Sequence, residues 1–351
     1  MPVRTSRASR EIERIPDLRR IAPVTAVAVL AMAPSAMAQA PTPTPPAPQT
    51  QPAKLTIGVV GLRQGKRTYV VAGTNVRVAG TMNAAGAGDG VTVELFRGKK
   101  RIRSAKAGVN RQGKYNAKLR VSKTGRYSVR VRHKQGVNVA AGSSSRAHFS
   151  AVTSRLHEGS RGPVVKLLQK QLRRLAYVTT TRGTYDASTS RAVLAYRKVN
   201  HMTRITSVNR AMLAKLFTGR GGYRLRHPSA GKHVEADLSR QVIVLADHGR
   251  PERIYPTSSG KPSTPTVVGT FRFYRKDPGY NSEGMYYSSY FIRGYAIHGY
   301  ASVPTYAASH GCLRVPIPVA VSIYNWIDVG DRIFVYTKGK GSTRVMPNAG
   351  P

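Results

Sequence analysis

The chain contains a single cysteine, Cys312, among 351 residues, and this scarcity excludes a disulfide within the chain. A lone cysteine can pack in a core, bridge to another molecule or carry out chemistry. Its neighbours favour chemistry, because residues 309–314 read S-H-G-C-L-R and a second histidine, His298, lies fourteen positions upstream in I-H-G. A thiol beside an imidazole can ionise near neutral pH. The sequence therefore predicts a reactive thiol.

Motifs for metals and nucleotides are also missing. The chain has no C-x-x-C, no H-E-x-x-H and no phosphate-binding loop of the G-x-x-x-x-G-K-[ST] type, and its other histidines are scattered singly. We therefore expect no metal and no cofactor, so that any catalysis depends on side chains alone.

Acidic residues are few: 15 Asp and Glu stand against 57 Lys and Arg, giving a net charge of +42. Such a surface attracts polyanions. The partner would be nucleic acid inside a cell, and anionic wall polymers, acidic glycans or lipid head groups outside it. A generally basic surface with no dedicated partner is the alternative.

Long hydrophobic runs are absent. The one marked apolar stretch, residues 21–33, is too short to span a bilayer comfortably. It follows an arginine-rich segment and precedes Ala36-Met37-Ala38, an A-x-A cleavage site, so residues 1–38 are predicted to be a secretory signal peptide. An uncleaved N-terminal anchor is the alternative. We expect an exported protein, wall-associated or secreted, with no membrane span after cleavage and no nucleic-acid partner.

The first folded part is predicted to be all β. After a proline-rich linker at residues 39–53, residues 54–152 contain short runs of alternating polarity, separated by Gly and Asn about every ten residues. This pattern predicts an Ig-like β-sandwich. Its densest basic run, residues 98–103, is either a solvated sheet face or a polyanion-binding face.

Residues 155–218 show helical periodicity. Pro163 is placed to begin a helix whose buried face would hold Val164, Leu167, Leu168, Leu172 and Leu175. Asp186 is the predicted N-cap of a second helix, and residues 209–217 form a third. The spacings L-x-x-G-S-x-G-x-V-x-x-L-L from Leu156 and G-x-Y-D-x-x-T-x-x-A-V-x-x-Y from Gly183 resemble the three-helix peptidoglycan-binding domain, with Arg197 where that family commonly has Gln.

After a Gly- and Arg-rich linker at residues 219–231, residues 232–337 are predicted to be mostly β, and residues 338–351 a loose tail. This segment resembles the L,D-transpeptidase catalytic domain of YkuD type. The motifs that carry the resemblance are A-D-L-x-x-Q at residues 236–241, the stretch 258–271 ending in V-V-G-T-F, I-H-G at 297–299 and S-H-G-C-L-R-V at 309–315. A glycine that the family often has between the last two motifs is missing from residues 300–308.

The resemblance implies roles for five residues. Cys312 is the expected nucleophile and His298 the general base, with the carbonyl of Gly299 steadying the imidazole. The N–H groups of Gly311 and Cys312 would form the oxyanion hole. His310 would orient or polarise the site, or would make only a structural hydrogen bond. The sequence alone leaves open which histidine is the base.

Four further residues are expected to bind substrate. Arg314 suits a substrate carboxylate, with a structural salt bridge as the alternative. Ser309 belongs to the same motif, and Tyr287 and Tyr290 lie in a tyrosine-rich segment, residues 277–295, that we expect to be a loop lining the site. Simple packing of these rings is the alternative.

The reaction implied is acyl transfer on peptidoglycan. Cys312 would attack the third residue of a tetrapeptide stem, a diamino acid, and release the terminal D-alanine. A side-chain amine of a neighbouring stem would then give a 3→3 cross-link, water would make the protein an L,D-carboxypeptidase, and an amine on a protein would anchor that protein to the wall. The alternatives of another class are a non-catalytic wall-binding protein and an extracellular polyanion binder.

Overall fold

The computed structural model of the chain describes residues 51–83, 89–136 and 139–339. The predicted signal peptide, nearly all of the proline-rich linker and residues 340–351 of the predicted tail lie outside the described residues. Among the helices within these ranges, none has the length and apolar character needed to cross a bilayer.

The N-terminal part consists of two β-sheets that share one core. One sheet has the order β1-β4-β7 and the other the order β2-β3-β10-β8-β5-β6, with β9 beside β8. The strands are β1 (Gly58–Val59), β2 (Leu62–Gln64), β3 (Arg67–Val71), β4 (Thr74–Thr81), β5 (Gly90–Arg97), β6 (Lys100–Gly108), β7 (Lys114–Val121), β8 (Gly125–His133), β9 (Gly142–Ser143) and β10 (Ala147–Val152). Pairing is antiparallel except between β3 and β10.

Alternation along these strands builds the core. In β7 every second side chain is buried, and these side chains pack with Val93 of β5 and Val129 of β8. The alternating strands predicted for residues 54–152 are therefore present, while their Ig-like classification stays a prediction. The edge strand β6 is exposed over its first half, where Lys100, Arg101 and Arg103 lie.

Three helices follow: α1 (Pro163–Arg174), α2 (Ala187–Val199) and α3 (Arg210–Phe217). Helix α1 begins at Pro163, as its sequence predicts. The Asp186 carboxylate accepts the Thr189 N–H at 2.9 Å and so caps α2. The buried face differs from the predicted one, because Val165, Gln169 and Gln171 are buried whereas Val164 and Leu175 are only partly covered.

The helices share a core with the sheet that follows them. Side chains of α1 and α2, including Leu172 and Tyr196, belong to the same buried cluster as Val244 of β12 and Ile254 of β13 (bounds below). A buried lysine of α2, Lys198, also crosses this boundary. Its Nζ donates to the carbonyl of Thr257 at 2.8 Å and to that of Gln241 at 3.2 Å.

The C-terminal part has two sheets, of order β13-β12-β11-β19-β14 and β15-β16-β17-β18. Their elements are β11 (His233–Asp237), β12 (Val242–Asp247), β13 (Arg250–Pro256), β14 (Gly269–Arg272), β15 (Arg275–Tyr280), β16 (Tyr286–Ile292), β17 (Tyr295–Tyr300), β18 (Leu313–Pro316), helix α4 (Ile317–Tyr324) and β19 (Arg332–Tyr336). The predicted opening hairpin is β11 and β12. Neighbours run antiparallel except in the pairs β11–β19 and β17–β18.

The segment 277–295, expected to be a loop, is instead mostly strand. β15 and β16 pair across it with an irregularity between Asp277 and Tyr280, and Ser288 to Ile292 are buried. The reason is local, because the run Y-Y-S-S-Y-F-I combines aromatic and β-branched residues that favour a half-buried sheet. The parts of this segment that reach the site described next are the turn between β15 and β16 and the Gly294–Tyr295 end.

Candidate active site

Two adjacent parallel strands hold the predicted catalytic residues together. In the register of β17 and β18, His298 pairs with Arg314. Because successive side chains of a strand alternate between faces, Ile297, Leu313 and Val315 enter the core, while His298 and Arg314 lie on the other face.

That other face lines a cavity of about 350 Å³. It contains five of the residues predicted from the sequence: Cys312, His298, His310, Ser309 and Arg314. The remaining lining residues are Glu283, Met285, Gly294, Tyr295 and Tyr300. A larger cleft of about 730 Å³ between β3, β4 and α3 contains neither thiol nor imidazole, so the chemistry points to the smaller cavity.

The thiol of Cys312 is held by backbone contacts. The Ala296 N–H donates to Sγ at 3.4 Å, and the thiol lies 3.6 Å from the Gly294 carbonyl. Burial raises the pKa of Cys312, and the nearby Glu283 acts in the same direction. The Ala296 N–H and Arg314 act to lower this pKa, but it stays above its ordinary value. The resting nucleophile is therefore a thiol that must pass its proton to a base.

His298 has the properties of such a base. Its ring is buried, and Nδ1 lies 3.0 Å from the Gly299 carbonyl oxygen, which can only accept. The proton therefore belongs on Nδ1, leaving Nε2 with a free lone pair. Burial lowers the pKa of His298 to about 4, outweighing the opposing effect of the Gly299 bond. The imidazole is neutral at neutral pH and can accept a proton.

His310 has a different environment. Its ring is exposed at the mouth of the cavity, and Nε2 lies 3.4 Å from Nζ of Lys261. Unlike His298, His310 is exposed, and its partner is a lysine side chain instead of a backbone carbonyl. The geometry thus supports His298 as base and leaves His310 at the entrance.

The turn before Cys312 depends on Ser309 and Gly311. The buried Ser309 hydroxyl donates to the Cys312 carbonyl at 2.6 Å and accepts the Gly311 N–H at 3.0 Å. Gly311 has φ of 129°, and a Cβ there would lie 2.0 Å from Cε1 of Tyr295. The Ser309 side chain therefore shapes the turn, and the Gly311 N–H would have to leave it to bind an oxyanion.

Arg314 lies over the ring of Tyr300, with 4.1 Å between the guanidinium carbon and the ring centroid. The salt bridges found in the described ranges do not include Arg314, so its charge faces the cavity without an acidic partner. This placement is compatible with the predicted binding of a substrate carboxylate.

Neither Tyr287 nor Tyr290 lines the cavity. Tyr290 is buried beside Met285 and Ala296, behind Cys312, and Tyr287 packs edge-on against Tyr324 at 5.0 Å. Their placement gives no support to direct substrate contact. The tyrosines that do line the cavity are Tyr295 and Tyr300. Alternation could have identified Tyr300, since it lies two residues beyond His298 on the same strand.

In the described ranges no three or more His, Cys, Asp or Glu side chains are placed to hold a metal ion. The arrangement present is a thiol, a neutral imidazole, an arginine and a tight turn, which is the set needed for acyl transfer through a thioester.

Comparison with known proteins agrees with this chemistry. A sequence model of the YkuD family, the L,D-transpeptidase catalytic domain, matches residues 231–335. No curated protein matches the chain.

Three solved structures illustrate the similarity. An L,D-transpeptidase from Xylanimonas cellulosilytica is 33% identical, with 53% of this chain and 98% of that chain covered and a TM-score of 0.50. An L,D-transpeptidase from Stackebrandtia nassauensis is 19% identical, with 52% of this chain and 96% of that chain covered and a TM-score of 0.34. L,D-transpeptidase 1 of Mycobacterium tuberculosis is 27% identical, with 30% of this chain and 61% of that chain covered and a TM-score of 0.25. On the family model and the first of these structures, the chain belongs to the L,D-transpeptidase family and carries its YkuD catalytic domain.

Proposed function

We propose that this protein is an exported enzyme that forms 3→3 cross-links in peptidoglycan through a thioester on Cys312. The observation that carries the proposal is the buried His298, whose Nδ1 is fixed by Gly299 in the cavity that contains the only cysteine of the chain. A neutral base with a defined tautomer beside a protonated thiol is what the first proton transfer requires.

The steps follow from this pair. His298 Nε2 takes the proton from Sγ, and the thiolate attacks the carbonyl of the third stem residue. His298 then protonates the amine of D-alanine, which departs. The rest of the stem remains bound to Cys312 as a thioester. Arg314 would hold a carboxylate of the stem, and the Cys312 N–H, joined by that of Gly311 once it leaves Ser309, would stabilise the oxyanion. His310 would polarise the entrance.

The acceptor distinguishes three variants of the same chemistry. A stem amine gives the 3→3 cross-link, water gives L,D-carboxypeptidase activity, and a protein amine gives anchoring. A non-catalytic wall-binding protein is disfavoured, because a binding surface has no need of a buried imidazole and a thiol facing one cavity.

The other parts of the chain would place the enzyme on its substrate. We assign secretion to residues 1–38, peptidoglycan binding to residues 155–218 and contact with anionic wall polymers to residues 54–152. The exposed basic side chains of β6 support the last assignment, since they face solvent at the edge of a sheet.

Intact-protein mass spectrometry after incubation with a disaccharide-tetrapeptide tests the chemistry. We expect a mass increase equal to the acyl group on Cys312, together with free D-alanine. Cys312→Ala should remove both signals while the circular dichroism spectrum stays unchanged. Turnover by purified Cys312→Ala would refute the proposal.

A further inference from the structure

One carboxylate differs from the others in the part of the chain that the structure describes. The other acidic side chains in the described ranges have polar partners, as Glu94 has in Arg130 at 3.0 Å, Asp237 in Arg240 and Glu252 in the Trp326 N–H at 3.0 Å. The carboxylate of Glu283 has no hydrogen bond or ion pair to any described residue, and it lines the cavity of Cys312. An unpaired acid in the reactive cavity of a chain with net charge +42 requires an explanation.

The backbone holds Glu283 in place. It lies in the turn between β15 and β16, where the Asn281 side chain accepts the N–H of Glu283 at 3.1 Å and that of Met285 at 2.9 Å. The Gly284 N–H also donates to the Asn281 carbonyl at 3.0 Å. These hydrogen bonds of Asn281 fix the backbone position from which the Glu283 side chain extends, although that side chain is exposed.

This charge opposes the nucleophile. A negative group near Cys312 disfavours the thiolate, and Glu283 accordingly acts to raise the pKa of the thiol. Arg314, which lines the same cavity, acts in the opposite direction. A negative charge that hinders the first step makes chemical sense if it assists another step.

The second step brings a cation to the site. The acceptor of transpeptidation is an amine, which is an ammonium ion in neutral water, whereas water, the competing acceptor, is uncharged. The cavity carries one charge of each sign, from Arg314 and Glu283, and so matches an amino-acid group that bears both a carboxylate and an ammonium.

We propose that Glu283 binds the side-chain ammonium of the acceptor diamino acid and thereby favours amine over water. The inference rests on the proposed function. The bound ammonium releases one proton to solvent, and the neutral amine attacks the thioester carbonyl. His298 Nε2 removes the second proton and delivers it to Sγ as the C–S bond breaks and the C–N bond remains.

Equilibrium binding tests this assignment without turnover. In a Cys312→Ser background, which cannot form the thioester, the probes are two stem tripeptides that differ only in whether the diamino side chain is free or acetylated. We expect the free amine to bind about two- to fivefold more tightly, the range of an exposed ion pair. Adding Glu283→Gln should abolish this preference, and about 1 M salt should weaken it.

Asp277→Asn is the matched control, because Asp277 lies in the same hairpin but pairs with Arg275 and does not line the cavity. It should retain the preference for the free amine. Equal binding of the two peptides in the Cys312→Ser protein, or an undiminished preference after Glu283→Gln, would overturn the assignment.

A second measurement uses the protein with its thiol. In the presence of an amine acceptor, Glu283→Gln should lower the ratio of cross-linked to hydrolysed product, whereas Asp277→Asn should not. An unchanged ratio would contradict the role of Glu283. If no thioester forms at all, the proposed function fails, and the binding experiment still decides whether Glu283 selects an ammonium.

Discussion

Burial acts in opposite directions on the pKa values of Cys312 and His298, the two groups proposed to exchange a proton. It raises the pKa of Cys312 and lowers that of His298, since both groups lose their charged form when water is removed. The resting pair is therefore neutral, and in the proposed reaction the thiolate forms only as the substrate is attacked. Such a thiol should react slowly with general alkylating agents at neutral pH while remaining competent toward a positioned carbonyl.

The pH dependence of acylation follows from His298. Its pKa of about 4 lies below the ordinary histidine value, so the base stays unprotonated until more acidic pH. We expect the single-turnover acylation rate to hold from neutral pH downwards and to fall only near about pH 4, whereas an ordinary histidine would give a fall near about 6.5. An acid limb near the ordinary value, in protein shown to be folded at each pH, would contradict this.

Substitution separates the two histidines. His298→Ala should slow acylation by about 10²–10⁴-fold, the usual contribution of a general base. His310→Ala should slow acylation less, because His310 is exposed. This variant should still show the fall in acylation rate near about pH 4 that is expected from His298. Single-turnover acylation of both variants measures this, and a larger loss at His310 would exchange their roles.

Gly311 tests the geometry of the turn. In Gly311→Ala the new Cβ would overlap the Tyr295 ring and require an unfavourable φ, so Cys312 should shift. We expect acylation to slow on the order of 10²-fold, as a displacement of about 1 Å can cause. Gly294→Ala is the control, because it borders the same cavity and its Cβ would meet nothing. Similar rates in the two variants would contradict the argument.

The sequence predicted part of this site and not the rest. Cys312, His298 and Arg314 are found by short motifs, and the strand pairing brings those motifs into one cavity. Glu283 and Met285 lie in a turn with no motif, and only the pairing of β15, β16 and β17 brings that turn near the thiol. No spacing rule predicts such a long-range approach.

Among the secondary-structure elements, the sequence predicted helix starts well, because the residues that start a helix act on their immediate neighbours. Pro163 begins α1 and Asp186 caps α2, because both effects act within one helical turn. The buried face of α1 was less predictable, since a helical wheel assumes a single partner. Val165 is buried because the cluster around α1 also includes residues of the β-sheets on either side along the chain.

The cap of α2 provides a stability prediction. Burial opposes ionisation of Asp186, but hydrogen bonds from Ser188, Thr189 and Thr180 outweigh it and lower the pKa to about 2. Asp186→Ala should therefore lower the free energy of unfolding by about 1–2 kcal/mol at neutral pH, measured in urea. Asp186→Asn keeps an acceptor oxygen and should lose less; equal losses would contradict a capping role.

The sign of the pH effect follows from the same shift. A carboxyl whose pKa is lowered on folding stabilises the folded state above its unfolded pKa of about 3.9. That contribution disappears as the pH falls toward about 2. The difference in unfolding free energy between the native chain and Asp186→Ala should therefore shrink in acid.

At the scale of the whole molecule, Lys198 connects the helices to the reactive strand. It donates to the Thr257 carbonyl, and the Thr257 hydroxyl donates to the Arg314 carbonyl at 2.7 Å. Lys198→Met should lower the free energy of unfolding by about 1–3 kcal/mol, because the buried Thr257 carbonyl loses the lysine donor, whereas the Gln241 carbonyl keeps the Thr257 N–H at 3.0 Å. Acylation should slow as well.

Lys170→Met is the matched control, since Lys170 is exposed on α1. It should change neither denaturant stability nor acylation. If Lys198→Met behaves like this control in both measurements, the lysine is not a structural connection.

The positive charge of residues 54–152 is expected to affect how the whole molecule binds the cell wall. If the sandwich contacts anionic polymers, sedimentation of the protein with native wall should decline at high salt, as the screening length shortens from about 10 Å at 0.1 M to about 3 Å at 1 M. Changing the exposed Lys99, Lys100 and Arg103 to Gln should reproduce part of this loss. Equal binding to native wall and to wall stripped of its anionic polymers would make the basicity incidental.

The core that the helices share with β12 and β13 of the C-terminal part has a geometric consequence. A domain on a flexible tether can search a volume around its anchoring point, but packed elements move as one body. If the helices grip the glycan, the thiol is carried at a fixed distance and angle from that grip. In the proposed function, the enzyme would then join only stems that lie at a set distance along the glycan strand. The fold itself would determine the spacing of its cross-links.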